Sequence, residues 1–541
     1  MREDRETAVA AVLSAMAGDI AAGAPRGWRR AELRGFVSGP GSLGVRGFRF
    51  APAELNAYGS NDHIPYDGMA QLYSLLDACG QLTIELEVET RGRYHAVLSQ
   101  RLDRLAGTGF RYLIDPDREP PEIEAPPVYA AEAGDPDEAV ALFGEYLRRL
   151  REILGPDAFV DLARPLPEAR RRQLLSTMDL KLPRDLAALY AVVDGDGGQG
   201  LLPGRWFGLA TLAELCRPEE RWWVRRERDF ITEFGPPLRI QRRADHPGWI
   251  PFAADGLGNY LAVDMSPGPH GSPGQVILIG RNHGDGPVYV ADSVTTLLGA
   301  QVAALESGLF RRDEGALGLL DFDLERHKRD YAAHRTLAVT GPEAAPVRGM
   351  HQEIRELTVS NAPWVDLGPV RGAPALWRFT ATNCPGADLA PLRDTQIEVI
   401  DLDLAAIDLT GLAGHPTLRR VVLHSEKPVD LRPLLSCPRL SVLDVAHAPA
   451  ADVSGLGGAT ALWQLTMLRP QWVELLRHNV IPPHLAVADL AGEPREERRF
   501  YWSFAKAYKT ARPTLKDAVA WARNLTGTDI QTFTGRFATE S

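Results

Sequence analysis

The sequence predicts a multidomain α+β protein: a small N-terminal α+β domain, a central α+β domain with a mostly antiparallel sheet, and a C-terminal repeat solenoid. Three observations carry this reading. A chain of 541 residues is too long for a single core. The stretch 249–292 alternates β-rich runs with Gly, Pro, Asn and Asp clusters, the pattern of short antiparallel strands joined by turns. Residues 351–480 carry a regular internal period.

Composition excludes some functions before any motif is read. A net charge of −11 argues against a general nucleic-acid binder, which needs excess Lys and Arg to neutralise phosphates. The four cysteines, Cys79, Cys216, Cys384 and Cys437, are scattered without CxxC pairs or metal-ligand spacing and read as buried, reduced thiols. The opening MREDRETAV has no apolar signal core, and no run reaches membrane-span length, so a cytoplasmic location is expected, without a membrane partner.

Residues 1–115 form the first expected domain. Val9, Val12, Leu13, Met16 and Ile20 recur at helical spacing, strands follow over 28–36 and 45–50, and a second helix covers 69–79. Leu82, Ile84, Leu86 and Val88 alternate with polar residues, which puts Glu85 and Glu87 in water. The element order resembles small bacterial immunity-type domains, with no motif that carries residues across. Residues 116–137, rich in Pro and acids, read as a solvated linker.

The central domain is expected over 138–310. A helix over 139–154 would bury Leu142, Leu147, Leu150 and Leu154, and Pro183 suits the first turn of a second helix. The DGDGG string at 194–198 fails as an EF-hand, because Gly198, Gln199 and Arg205 stand where the fifth, sixth and twelfth positions need an oxygen ligand, Gly and Glu. It reads as a helix end and turn.

Four ordered signatures, LPRDLAALYAVVDGDGG, GLLPGRWFGLATLAEL, HPGWIPFAADGLGNYLAVDMSPGPHGSPGQVILIG and VYVADSVTTLL, resemble the SUKH superfamily, which includes fungal glucan-synthesis regulators and killer-toxin-resistance proteins. The residues that carry the resemblance are Pro183, Trp206, Trp249, Pro251, Asp255, Gly256, Gly258, Asp264, Gly274 and Gln275. The resemblance implies an α+β fold and non-enzymatic work: bacterial members act as immunity proteins against toxins, often nucleases, and fungal members as regulatory interaction hubs. Trp206, Trp249, Asp255 and Asp264 are expected to determine the fold rather than to touch a partner.

Residues 217–243 hold eight arginines against five acids and two adjacent tryptophans. Arg and Trp are what interface hot spots use, so Trp222, Trp223, Arg225, Arg226, Arg242 and Arg243 are candidate partner contacts, alongside the SPGPHGSPG loop as an exposed tip. The competing reading is an amphipathic helix whose arginine stems cover apolar surface.

A helical connector or cap is expected over 311–350, repeats over 351–480 and a helical cap over 481–541. Ile354, Leu376, Ile397, Leu418, Leu440 and Leu462 are spaced by 22, 21, 21, 22 and 22 residues, and each opens an LxxLxL-like unit. A second signature places Asp366, Asp388, Asp408, Asp430 and Asp452 before an aliphatic residue and a turn. The two signatures together resemble a leucine-rich-repeat array, which implies a strand face open to partners. The Asn common to such turns is present at 361 and 383 and replaced by Leu404, Ser425, His447 and Arg469, so later coils are expected to be irregular. On the open face Arg378, Asp401, Arg420 and Asp444 are candidate partner contacts.

No intact P-loop, dinucleotide fingerprint, HExxH or nucleophile elbow is present, so no catalytic, cofactor or metal residues are assigned. The expectation is a non-catalytic protein-binding protein, first as a cytoplasmic bacterial-type immunity protein that neutralises a toxin, and alternatively as a regulatory scaffold that joins two proteins. An enzyme with a site assembled from scattered residues ranks third.

Overall fold

The computed structural model describes residues 2–39, 42–52, 63–78, 81–104, 109–116, 118, 131–159, 161–177, 181–202, 204–216, 231–243, 246–313, 316–319, 324–342, 347–448, 451–477, 481–492, 513–527 and 530–538. The chain is a multidomain α/β protein that divides into two compact units. One comprises Met1–Pro121, Leu337–Gln352 and Leu357–Ser541; the other comprises Glu122–Thr336 with Glu353–Glu356.

In the first unit α1 (Arg2–Ala22) buries Val9, Leu13, Met16, Ala17 and Ile20 along one stripe. The hairpin of β1 (Arg30–Gly39) and β2 (Ser42–Ala51) is followed by α2 (Tyr66–Leu75), then β3 (Leu82–Glu89), β4 (Arg93–Ser99), β5 (Leu102–Arg104) and β6 (Phe110–Leu113). The antiparallel sheet runs β2-β1-β3-β4, and a strand from the far end of the chain, Gln531–Arg536, adds beside β4. Glu85 is buried, contrary to the alternation, because β3 is central and its second face lies over a small cavity lined by Val97, Phe110 and Leu515.

The second unit opens with α3 (Pro136–Leu154), α4 (Glu168–Thr177), α5 (Arg184–Val192), β7 (Arg205–Trp206) and α6 (Leu209–Leu215). The buried stripe of α3 is Ala139, Phe143, Tyr146 and Leu150, so the expected leucine stripe is displaced: Leu142 and Leu147 sit at its edge and the aromatic rings fill the core. Next come β8 (Trp249–Ala254), β9 (Asn259–Asp264), β10 (Gln275–Gly280), β11 (Val288–Ala291) and α7 (Val294–Glu306). The antiparallel sheet runs β11-β10-β9-β8-β7. Both of its faces are covered: Phe252, Leu261, Val263 and Val276 join the helical core, while Trp249, Ala262, Ile277 and Ile240 make a second cluster. The region expected as a helical connector begins instead with the hairpin β12 (Phe310–Asp313) and β13 (Ala316–Leu319), paired Phe310 to Leu319, before α8 (Leu324–Arg335).

The repeats lie in the first unit. β14 (Thr336–Thr340), β15 (Glu356–Ser360), β16 (Arg378–Cys384), β17 (Val399–Leu404), β18 (Arg420–His424), α9 (Arg432–Leu435), β19 (Val442–His447), β20 (Gln464–Met467), α10 (Arg469–Arg477) and β21 (Val487–Leu490) follow in order. Neighbouring strands from β16 to β21 pair in parallel, one strand per repeat, and β6 closes the row by pairing antiparallel with β21. Arg111 of β6 grips Asp489 of β21 through two hydrogen bonds of 2.7 Å. In Glu-Leu-Thr-Val-Ser of β15 the LxL positions are buried and the flanking ones half-exposed, whereas the outward Val399 of β17 and Val422 of β18 are buried as well. Beyond β21 stand α11 (Leu515–Thr526) and β22 (Gln531–Arg536); among the described residues of 481–541 the helical expectation thus meets one helix and two strands.

Each repeat turns on its aspartate. One carboxylate oxygen of Asp366, Asp388, Asp408, Asp430 and Asp452 accepts the backbone N–H two residues on, at 2.9–3.0 Å. Asn361 and Asn383 adopt the left-handed conformation and bond each other, Nδ2 to Oδ1, at 2.7 Å. Register shifts occur both beside a retained Asn, between Ala381 and Cys384, and where it is replaced, between Val422 and His424, so the irregularity does not follow the loss of Asn.

Candidate binding surface

The motif residues of the second unit build its turns and core. Trp206 is buried between Phe143 and Tyr190, its indole N–H donates to Tyr190 Oη at 3.0 Å, and that hydroxyl donates to the Phe207 carbonyl at 2.8 Å. Burial pushes the Tyr190 hydroxyl well above the usual tyrosine range. The DGDGG string works as a scaffold. Asp194 accepts the Leu209 N–H at the start of α6, and Asp196 accepts the N–H groups of Gly198, Leu201 and Trp206.

Trp249, Asp264 and Gln275 lie on one rung across β8, β9 and β10. Gln275 Nε2 donates 2.9 Å to Asp264, whose other oxygen accepts Ser266 N–H at 2.9 Å, and the Trp249 indole faces the same carboxylate. Burial pushes the Asp264 carboxyl up to about 7 against these hydrogen bonds. Gly274 approaches Pro183 so closely that a Cβ there would stand 2.9 Å from the proline Cβ, and Pro183 sits extended just before α5. Pro251 pairs Ala262 next to a bulge in β8. The SPGPHGSPG loop is not the free tip expected: Pro267 and Gly268 are buried, and Gly268 and His270 donate to the carbonyls of Arg239 and Leu238.

The β8–β9 turn differs from these in offering a side chain outward. Asp255 accepts the N–H groups of Leu257 and Asn259 at 2.7 and 3.1 Å and the Asn259 amide at 2.6 Å. Burial alone would raise its pKa, but these donors hold the carboxylate below the usual range. Gly256 and Gly258 take φ of +79 and +95, which side-chain-bearing residues rarely adopt. On this stiff turn Leu257 is 70% exposed. Arg281 packs against Gly258, Arg205 pairs opposite Ala254, both are exposed, and neither forms an ion pair among the described residues. A large apolar side chain on a fixed turn, with two exposed arginines on the same hairpin and its neighbours, can insert into an apolar pocket with an acidic rim. Sequence reasoning named the framework of this tip, Asp255, Gly256 and Gly258, and missed Leu257, Arg205 and Arg281. The available signal was an apolar residue between two turn glycines.

The other candidate contacts fare unevenly. Trp222, Trp223, Arg225 and Arg226 lie outside the described residues. Arg242 is buried 3.4 Å from Glu233, which also pairs Arg355 at 3.1 Å, so its head serves the interior and not a partner. Arg243 is half-buried. In the repeats Arg378, Val399, Arg420 and Val442 share one rung, and Asp401, Val422 and Asp444 share the next. Arg378 lies over the Trp377 ring, Asp401 stands 3.9 Å from His424 Nε2, and His424 stacks on His447 with centroids 4.6 Å apart. Burial raises the Asp444 carboxyl above its usual range. Among the described residues no group of three His, Cys, Asp or Glu side chains is placed to hold a metal ion.

With this geometry in hand, the family comparison is decisive for one part of the chain: the model of the SMI1 / KNR4 family (SUKH-1) matches residues 168–300. This stretch is an SMI1/KNR4 domain. Similar proteins include the cell wall biosynthesis/cell cycle regulator smi1 of Schizosaccharomyces pombe, 34% identical over 153 residues, which are 25% of this chain and 30% of that protein. The glucan synthesis regulatory protein of Neurospora crassa is 29% identical over 232 residues, 36% of this chain and 43% of its own. The cell wall assembly regulator SMI1 of Saccharomyces cerevisiae is 37% identical over 73 residues, 14% of either chain. The chain thus spans less than half the length of these relatives. Among solved structures an internalin C2 from Listeria monocytogenes is matched over 30% of this chain and 84% of its own, at 16% identity and a TM-score of 0.19, a likeness too slight to build on. The SMI1/KNR4 match contains Trp206, Trp249, Asp255, Asp264 and the hairpin tip that carries Leu257.

Proposed function

We propose that the chain is a non-catalytic regulatory scaffold that binds a partner protein through its SMI1/KNR4 domain, with the Leu257 tip as the contact. The observation that carries this is the contrast within the domain: the polar motif groups Asp194, Asp196, Asp255, Asp264 and Gln275 are consumed by turn N–H groups and by each other, while Leu257 is left projecting. The relatives are fungal and their names describe regulators, not enzymes, which supports the scaffold over the toxin-neutralising reading. No described helix is long and apolar enough to cross a membrane, and a cytoplasmic location belongs to the same proposal.

The test is a photo-crosslinking amino acid placed at position 257 of the full chain in its own cells, with mass spectrometry of the adducts. The reading expects one or a few protein adducts that Leu257→Asp in untagged competitor fails to displace and unaltered competitor displaces. Recovery of only small molecules, or of adducts that both competitors displace equally, would overturn it.

A further inference from the structure

The repeats carry a second feature, on the turn side of the coils and away from the strand rungs described above. Trp364, in the turn after β15, is 50% exposed. Its ring beds on Gly386 of the next repeat, where a Cβ would stand 2.7 Å from the indole; that position must stay bare for the ring to lie there. The indole lines an open groove of about 390 Å³ together with Ala387, Leu389, Ala390 and Gly411 and with the charged side chains of Asp388, Asp408 and Arg393.

The rim is polarised by the same turns that build the repeat. Asp388 and Asp408 each use Oδ1 to cap their own turn, which leaves the second oxygen for a cation. The backbone and hydroxyl of Thr410 hold Asp408 below the usual carboxylate range, so it stays ionised at neutral pH. Arg393 spends one N–H on the Ala413 carbonyl at 3.3 Å. The indole N–H of Trp364 has no acceptor among the described residues.

The shape restricts the occupant. A helix docks through a strip of apolar anchors three and four residues apart, whereas this groove offers one aromatic ring beside small side chains and charges. Strand addition needs a free strand edge, and the groove is walled by turn segments. One turn of polyproline II, three residues over roughly 9 Å, is slim, is already ordered before binding, packs its rings on an aromatic face and presents outward carbonyls that an indole N–H can meet.

We infer that the Trp364 groove binds a proline-rich segment of a partner protein, flanked by arginine or lysine that pairs with Asp388 and Asp408. The inference rests on the protein-binding reading above but uses a different surface, so the chain has one contact in its SMI1/KNR4 domain and another on its repeats.

The experiment is fluorescence anisotropy of a labelled ten-residue peptide, four prolines followed by two arginines within a Gly/Ser frame, titrated with the full chain. Saturable binding with Kd on the order of 10–100 μM is expected. Trp364→Ala should weaken it at least about tenfold and Trp364→Phe by only about threefold, and Gly386→Ala, which tilts the ring without touching the ligand, should weaken it as well. Peptides with alanine for proline, or glutamine for arginine, should each lose about tenfold. Circular dichroism melts equal to the parent confirm that the variants fold. No saturable binding up to about 1 mM, equal affinity for Trp364→Ala, or saturable binding of a neutral oligosaccharide at Trp364 in place of the peptide would each overturn the inference. The crosslinking result at Leu257 stands or falls separately from all of these.

Discussion

Asp264 and Gln275 face each other across β9 and β10, and the glutamine amide donates 2.9 Å to a carboxylate that no solvent reaches. The pair ties the middle of the SMI1/KNR4 sheet to the segment that precedes β8, since Gln275 also donates to the Arg239 carbonyl at 2.7 Å. Its sensitivity to pH is a direct consequence of where the sheet buries it.

With the Asp264 carboxyl pushed up to about 7 in the folded state and near 4 when unfolded, the folded form holds a proton that the unfolded form has lost between these values. Stability from this group is therefore present below about pH 4 and lost as pH rises through about 7. Thermal melts of the parent should fall between pH 5 and pH 8 relative to those of Asp264→Asn, by a difference on the order of a few kcal/mol. A parent and variant with parallel pH profiles would show that Asp264 is ionised throughout.

Glu233 holds Arg355 at 3.1 Å and Arg242 at 3.4 Å, all three buried, and burial lowers the Arg355 pKa. Removing the shared anion strands two interior cations. Glu233→Ala should cost about 3–5 kcal/mol, whereas Glu233→Ala combined with Arg355→Met should recover part of that loss. Denaturant unfolding of the full chain checks it, and a single-variant cost below about 1 kcal/mol would contradict the clasp.

The hairpin tip separates display from support. Leu257→Asp should change stability by no more than about 0.5 kcal/mol, because the side chain is in water. Gly258→Ala, at φ +95, and Asp255→Ala, which strands three donors, should each cost about 1–3 kcal/mol. Melting curves that rank Leu257→Asp as the most damaging of the three would refute the assignment.

Tyr190→Phe removes the acceptor of the buried Trp206 indole and should cost about 1–3 kcal/mol. The same substitution at Tyr289, whose hydroxyl is only half-buried, should cost less. Equal losses would mean that the Trp206 indole finds another acceptor.

Much of this molecule is written locally. The 21- and 22-residue spacing with its capping aspartates dictates parallel strands and turns, because each unit repeats the same buried positions and the same N–H to be capped. The β-rich runs of β9 and β10, and the turn glycines at 256 and 258, likewise follow from residue type alone. The candidate contacts were less legible, for two physical reasons. Arg242 looks like a surface cation until Glu233, nine residues away, is folded against it. The loop at 266–274 looks free until the carbonyls of Leu238 and Arg239 take its N–H groups.

The sequence by itself determined the SMI1/KNR4 signature, the antiparallel sheet, the repeat period and the lack of an intact catalytic motif, since each depends on near neighbours in the chain. Only the tertiary structure decided which side chains are left over. That Arg205 and Arg281 are brought to the hairpin that carries Leu257, that Trp364 lies on Gly386 beside a groove, and that Gln531–Arg536 completes a sheet begun at residue 30 all depend on pairings between distant segments, whose energy no local pattern records.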